Sequence, residues 1–445
     1  LPVDRIRVIA TDMGGGFGTR GGCSPEYSLS LWASEVIGRP VKWIAERTEG
    51  IMTDEQGRGG LVDCELALDA NYKFLGLRTH TKVPIGAYYG NDRNYRTATG
   101  GFGGLAGVYG IPAIHAKVTG ALTNMIGNAQ YRGGAKPEPV YVLEVMVDVA
   151  ARKLGIEPIE LRRINTAGPD QMPLTTCLGD VYDCGDFVGN FEDCLSAGDY
   201  QNFGQRRKNS KSNGKLRGLG ASNSVTGVAS TNFEHVEIRF DPSGNITLLC
   251  GAMDHGQGHG TTFKQVLADQ LGIDTKEVKY RFGDTDKVAH GVGTFNARCA
   301  VFVSAAVINA AEKIIEKGKR IAGHLLEAAD TDIEFESGTF TVAGTDRSVS
   351  LEEVAKTAFQ KPKLPPDIEP GLYEHGEFGM GQGQAPTFPN GVHLAEVEID
   401  VETGKVELVR YTAVDDAGTI LNPLLFDGQV HGGIVQGASQ IMMED

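Results

Sequence analysis

Glycine limits this chain's folding options more than any other feature. Sixty of its 445 residues are glycine, nearly double the usual ~7%. Neither a collagen period nor a Gly/Ser linker accounts for them. Glycine at that density implies turns that other residues avoid, or backbone brought close to something bulky. Three clusters stand out: Gly14-Gly15-Gly16-Phe17-Gly18, Gly256-Gln257-Gly258-His259-Gly260-Thr261-Thr262 and Gly291-Val292-Gly293-Thr294. Each precedes a predicted helix, where unpaired N–H groups and a positive dipole end can meet an anion. None is a Rossmann or Walker fingerprint. Taken singly each reads as readily as a plain turn or cap; together they point to a phosphate-bearing cofactor.

The rest of the composition narrows the class. The length suggests several domains, and 41% hydrophobic with 22% charged residues is ordinary globular composition. A net charge of −15 argues against nucleic acid, whose binders need a basic face. No run reaches the ~18 apolar residues of a membrane span. Seven scattered cysteines, without a Cys-x-x-Cys pair, fit a reducing compartment and hold no iron–sulfur cluster motif. With no signal-peptide pattern at the start, the expected location is cytoplasmic. Both ends read like the middle of a protein, so a piece of a longer polypeptide is expected.

Patterning predicts an α+β chain of two main domains, 1–200 and 217–445, with a polar, basic linker at 201–216. A strand-like run covers Ile6 to Ile9, and a helix Pro25 to Ile37. Apolar alternation around a polar turn predicts a strand pair from Cys64 to Lys82. The Gly/Tyr-rich segment 86–110 reads as a long functional loop. An amphipathic helix follows Arg132, with Val140, Leu143, Met146, Val147 and Leu154 at i+3/i+4 spacing. HVEIRFDPSGNITLLCG and HLAEVEIDVETGKVELVRY are two hairpin signals of similar form, suggesting a duplicated βαβ-like unit. Helices are predicted from Thr261 to Leu271 and from Phe302 to Ala328.

Other catalytic templates are absent. There is no Gly-x-Ser-x-Gly elbow and no His-Glu-x-x-His. His255 and His259 are separated by glycines, which make a loop and not a helical face. Asp284-Thr285-Asp286 and Asp415-Asp416 could hold Mg²⁺, or serve as turns and caps.

Taken together and in order, six segments resemble one family. They are DMGGGFGTR, GNAQYRGGAKPEPVYVLEVMVDVAARKLGIEPIELRRIN, VYDCGDF, HGQGHGTTFKQVLADQLGI, GDTD with its Gly-x-Gly-Thr loop, and VDDAGTILNPLLFDGQVHGGIVQG. The family is the large, molybdopterin-binding subunit of the xanthine oxidase type of molybdenum hydroxylases, in its carbon-monoxide-dehydrogenase-like and aldehyde-oxidoreductase branch. The resemblance implies two large mixed α/β domains with the cofactor between them. It also implies a molybdenum-molybdopterin cofactor, as the cytosine dinucleotide form, with no metal ligand from the protein. The implied reaction hydroxylates an aldehyde or N-heterocycle with water as oxygen source, and electrons pass to iron–sulfur and FAD subunits.

The resemblance assigns roles residue by residue. Phe17, Tyr131 and Arg132 match loops facing substrate, the arginine stabilising developing negative charge. Gly16, Phe17 and Gly18 also match a cofactor loop. Gly256, Gln257, Gly258, His259, Thr261 and Thr262 match a pterin and pyrophosphate cradle. Gly293, Thr294 and Arg298 match a second cofactor loop, and Asp416, Asn422 and Gln436 match positions lining the pterin. Departures qualify the match. Gly133-Gly134 follow Tyr131-Arg132 where carbon monoxide oxidation needs a copper-bearing cysteine. Lys136 stands where arginine is commoner. The upstream glutamine and downstream glutamate base of relatives have no counterpart, Glu444 lacking the flanking glycines. Chains supplying those segments are thus expected partners, and a cofactor-free scaffold is the alternative function.

Overall fold

A computed structural model describes residues 2–89, 92–228, 233–379 and 386–444. The chain packs as two compact units that interleave in sequence. One comprises 1–15, 229–385 and 419–436; the other comprises 16–228, 386–418 and 437–445. Mixed helix and strand runs through both. The chain leaves and re-enters each unit.

The first unit is organised by the Asp-Pro-Ser-Gly hairpin. Asp241 accepts backbone N–H bonds from Ser243 and Asn245, and Gly244 takes φ +88, closing strand Phe233–Phe240 onto Ile246–Cys250. Strand Tyr373–Gly379 pairs on one side. On the other, Val278–Arg281 pairs parallel with Ile246–Cys250. A parallel join needs a crossover, and helix His259–Leu271 supplies it. The long helix Cys299–Leu325 buries Val303, Ala306, Val307, Ala310, Ala311 and Ile314. Its alanines admit the sheet closely: a Cβ on Gly376 would run into the Ala306 carbonyl and Ala310. The Ile6–Ile9 run makes only a single bridge, Ile9 to Asp284.

The second unit holds the strand pair Leu61–Leu68 and Phe74–Gly86, joined in parallel by Ile114–Leu122. A second sheet orders Val406–Asp416, Asn390–Asp400 and Lys215–Val225, all antiparallel. Helix Pro25–Ile37 forms with the expected bounds but buries no residue. Helix Pro137–Leu154 turns Leu143, Val147 and Ala151 into a core with Phe74, Leu77, Tyr109 and Leu161. Leu154, counted on its apolar face, is exposed. Both hairpins form and each leads through a loop into a helix. The first continues into the parallel strand Val278–Arg281, while the helix after the second, Pro423–Met443, is the last described element.

Two segments expected to be irregular are structured. Segment 86–110, whose Gly90 and Asn91 lie outside the described residues, carries helix Asp92–Thr99 and a 3-10 turn Phe102–Leu105. Leu105 to Tyr109 are buried, and Gly101 packs against the Ala135 carbonyl; here glycine serves packing. The expected linker 201–216 contains helix Phe203–Ser212 and the start of strand Lys215–Val225. Arg206 and Lys215 within it, and Arg217 just beyond, pair with carboxylates, mostly of strand Asn390–Asp400. Arg206 meets Asp199 and Glu396, Arg217 meets Glu396 and Glu398, and Lys215 meets Glu398. Charge complementarity replaces the apolar period that a linker lacks.

That network predicts an acid response. The Ser210 hydroxyl, Arg217 and Lys215 hold the Glu398 carboxyl down at about 2, against an ordinary 4.5. A depressed folded-state value means stability that is present above pH 4.5 and lost as pH falls towards 2. Glu398→Gln should therefore flatten the fall of the thermal midpoint between pH 4.5 and 2. Parallel curves for the two proteins would refute the linkage.

Candidate functional site

The candidate residues fall into two groups, one in each unit, and each group is built on glycine.

In the second unit the Gly16-Phe17-Gly18 end of the glycine loop lies against the Tyr131–Arg132 loop. Gly15 and Gly18 have φ +91 and +102, and Phe17 is held at φ +48, a region costly for an aromatic residue. A Cβ on Gly18 would collide with the Gln130 carbonyl and the Tyr131 backbone. A Cβ on Gly57 would come 2.5 Å from the Tyr131 Cβ. Phe17 itself is half exposed, its ring left free by the strained turn. Arg58, which the sequence reading passed over, covers the Tyr131 ring at 4.6 Å. It donates to the Arg132 carbonyl and, at 2.7 Å, to Gln440. Arg132 is half-buried. Burial pulls its pKa down, Tyr131 opposes that shift and nearby Arg58 adds to it; the guanidinium stays charged. Gly133, Gly134 and Ala135 all take positive φ, which turns the chain sharply into helix Pro137–Leu154. Lys136 donates to the Gly227 carbonyl. Asp416 caps its own turn, accepting from the Gly418 N–H at 2.9 Å.

In the first unit the two remaining glycine loops pack back to back. A Cβ on Gly251 would collide with Gly291, and one on Gly291 with Gly251. Three side chains selected from sequence converge on one acceptor, the Met253 carbonyl. Gln257 reaches it at 3.3 Å, His259 at 3.1 Å and Thr294 at 2.8 Å. His259 is buried, and burial lowers its pKa against the opposing pull of Asp254, favouring the neutral ring. Asp254, unnoticed in the sequence, accepts from the N–H groups of Gly256 at 3.1 Å, Gly258 at 3.2 Å and Gly260 at 2.9 Å. The donors expected to meet a phosphate therefore already meet a carboxylate. Burial alone would raise the Asp254 pKa; the three N–H bonds more than offset it, and the net shift is downward.

The remaining residues frame these loops. Thr262 returns its hydroxyl to the Gly258 carbonyl at 3.2 Å, and the Thr261 N–H donates to the same carbonyl at 3.0 Å. Gly293 takes φ +91, and its carbonyl receives Arg298 at 2.8 Å. Arg298 and Glu234 form a wholly buried ion pair, with Phe295 and Phe302 covering the guanidinium at 4.6 and 5.6 Å. Nε and Nη1 of Arg298 and Oε2 of Glu234 are buried without a partner among the described residues. Asn422 caps helix Pro423–Met443 by accepting from the Leu425 N–H at 3.1 Å, and donates to Gln265 at 3.0 Å. Gln436 lies further along that helix, half-buried. The sequence signal that could have found Asp254 was an acid set just before alternating glycines. For Arg58 it was the flanking Gly57 and Gly59-Gly60.

Molybdopterin cofactor-binding domain models match residues 1–166 and 193–445. The carbon monoxide dehydrogenase large chain of Hydrogenophaga pseudoflava is 34% identical, the alignment covering 99% of this chain and 56% of that one. The nicotine 6-hydroxylase large subunit of Paenarthrobacter nicotinovorans is 33% identical, with 99% and 55% covered. Quinoline 2-oxidoreductase from Pseudomonas putida 86 superposes with a TM-score of 0.90 at 31% identity, over 99% of this chain and 57% of that one. The chain thus spans little more than half the length of the relatives it matches. No helix among the described residues is long and apolar enough to cross a membrane. With two family matches that together cover most of its length, the chain belongs to the molybdopterin-binding large subunits of the xanthine oxidase family.

Proposed function

We propose that this chain forms the greater part of the cofactor-holding subunit of a cytoplasmic molybdenum hydroxylase acting on an aldehyde or N-heterocycle. The observation that carries the reading is the backbone contact between the GGGFG loop and the Tyr131–Arg132 loop at Gly18. It sets a half-exposed aromatic ring, a half-buried tyrosine and a half-buried arginine on adjoining loops of one unit, the make-up of a substrate pocket with one cationic anchor. The family matches support the cofactor class. Arg298 also fits it: two buried guanidinium nitrogens without partners among the described residues lie beside a glycine loop, donors suited to an anionic group. The molybdopterin, as its cytosine dinucleotide, would supply oxygen transfer from water and accept two electrons. Iron–sulfur and FAD subunits would carry those electrons onward, and chains equivalent to the unmatched part of the relatives would complete the subunit.

Within that frame Phe17 packs against a planar substrate, Tyr131 and Arg58 hold the Arg132 backbone, and Arg132 steadies negative charge on the substrate oxygen. Gln257, His259 and Thr294 keep the first unit's loops in shape through Met253. In the assembled enzyme Arg132→Ala should raise the barrier to turnover by about 2–4 kcal/mol while molybdenum and pterin content stay at the wild-type level. Unchanged turnover would remove Arg132 from the reaction. An assembled complex without molybdenum would instead favour the scaffold reading, to which the internal saturation of the Gly256–Thr262 loop lends support.

A further inference from the structure

By its sequence pattern the Gly256–Gly260 loop offers its N–H groups to an incoming anion. The structure fills them from within. Three alternating glycine N–H groups, the last in the first turn of helix His259–Leu271, converge on the one carboxylate of Asp254 at 2.9 to 3.2 Å. Gly256 and Gly258 reach this arrangement only through φ +114 and +86. A second, independent set of bonds closes the same loop one residue earlier, at the Met253 carbonyl, where Gln257, His259 and Thr294 meet. Neighbouring residues thus act as two hubs. The carbonyl gathers the side chains and the carboxylate gathers the backbone.

We propose that Asp254 is a positioning residue: a built-in anion that holds the glycine loop in its anion-accepting shape, and through it the side chains of Gln257 and His259. Without the carboxylate, three converging N–H dipoles point at empty space and repel one another, while two glycines regain the conformational freedom that the turn removes. Bonds from N–H to an ionised acceptor are the stronger kind, so the carboxylate charge, and not only its shape, does the holding. The loop then presents itself ready-formed, and any phosphate it meets is bound by groups other than these three N–H donors. The inference does not rest on the cofactor reading, because the lock is complete within the chain.

Hydrogen exchange of the loop backbone in the purified 445-residue chain, followed by mass spectrometry over residues 251–262, tests it. Asp254→Ala should lose protection in this segment by at least about tenfold, the scale expected for losing hydrogen bonds to a charged group, while exchange in strand Ile246–Cys250 stays slow. Added acetate should restore protection in Asp254→Ala and leave the wild type unchanged, because a free carboxylate can enter the vacated nest; a packing defect would not respond to it. Asp254→Asn, which keeps size but not charge, should show partial loss. Should Asp254→Ala fail to fold, the wild type carries the test by itself. With intrinsic exchange corrected for pH, loop protection should fall only as the depressed carboxyl is protonated, below its ordinary 3.8. Wild-type protection in Asp254→Ala would overturn the proposal. So would a loss that acetate leaves unrepaired, or a pH-independent loop.

Discussion

Replacing Arg162 with methionine is expected to destabilise the second unit by about 3–5 kcal/mol, the scale of stranding one charge of a buried pair. Arg162 is fully buried, and all its donors are used. Nε reaches Glu144 at 2.9 Å; Nη1 reaches Asp148 at 2.7 Å and the Pro158 carbonyl at 3.3 Å; Nη2 reaches the carbonyls of Ala221 at 2.9 Å and Glu144 at 3.1 Å. One side chain thereby ties helix Pro158–Asn165 to helix Pro137–Leu154 and to strand Lys215–Val225. Glu144 is buried too and keeps only the Tyr109 hydroxyl, at 2.8 Å, as a further side-chain donor. Burial pushes its pKa up even with Arg162 opposing. Without the arginine the carboxyl rises further and takes a proton. A folded-state value raised above the unfolded one gives stability that is greatest at low pH and lost as pH rises. The Arg162→Met deficit should accordingly shrink towards acid. Adding Glu144→Gln should recover much of the loss, because the double variant no longer buries a lone charge. Urea unfolding of the four proteins of this cycle decides the matter. A single variant within 1 kcal/mol of wild type, or strictly additive losses, would show that the pair is not coupled.

Such connections mark where the sequence stops being legible. Apolar periodicity located the helices Pro137–Leu154 and Cys299–Leu325 to within a few residues, because it reports which face of an element is buried. Turn chemistry located both hairpins, because Asp241 and Gly244 act locally. Choice of partner is not local. Nothing around Arg206 announces that Glu396, 190 residues away, will receive it at 2.6 Å, so a basic helix read as a linker. The interleaving of the two units was hidden for the same reason: Ala10 donates to the Gly283 carbonyl at 2.6 Å although no periodicity links the two segments. In the candidate site the glycines drew attention to the loops. They did not reveal that Asp254 already occupies the donors, because Gly-rich cradles for a foreign anion and for an internal one share one pattern.

The glycine whose replacement should do most damage to those loops is Gly258. It precedes helix His259–Leu271 in the left-handed region, at φ +86. Its Cβ would stand 2.5 and 2.9 Å from the two methyls of Leu425 in helix Pro423–Met443. Valine therefore meets two separate penalties. One is a backbone region costing about 1–3 kcal/mol for a residue with a Cβ; the other is overpacking of similar size. Together they reach about 2–6 kcal/mol, enough to displace the loop while the buried core behind it, Phe263, Leu267 and Leu271, keeps the helix. The assembled Gly258→Val enzyme should keep its circular dichroism and lose most of its molybdenum and pterin. The two penalties can be separated. Leu425→Ala in the valine background removes the collision and leaves the strained φ, so cofactor content should recover in part and not fully. Gly258→Ala, with the strain and less bulk, should fall between wild type and valine. If Gly258→Val carries wild-type molybdenum, the loop has room the structure denies it, and the cradle assigned to residues 256–262 falls with that result.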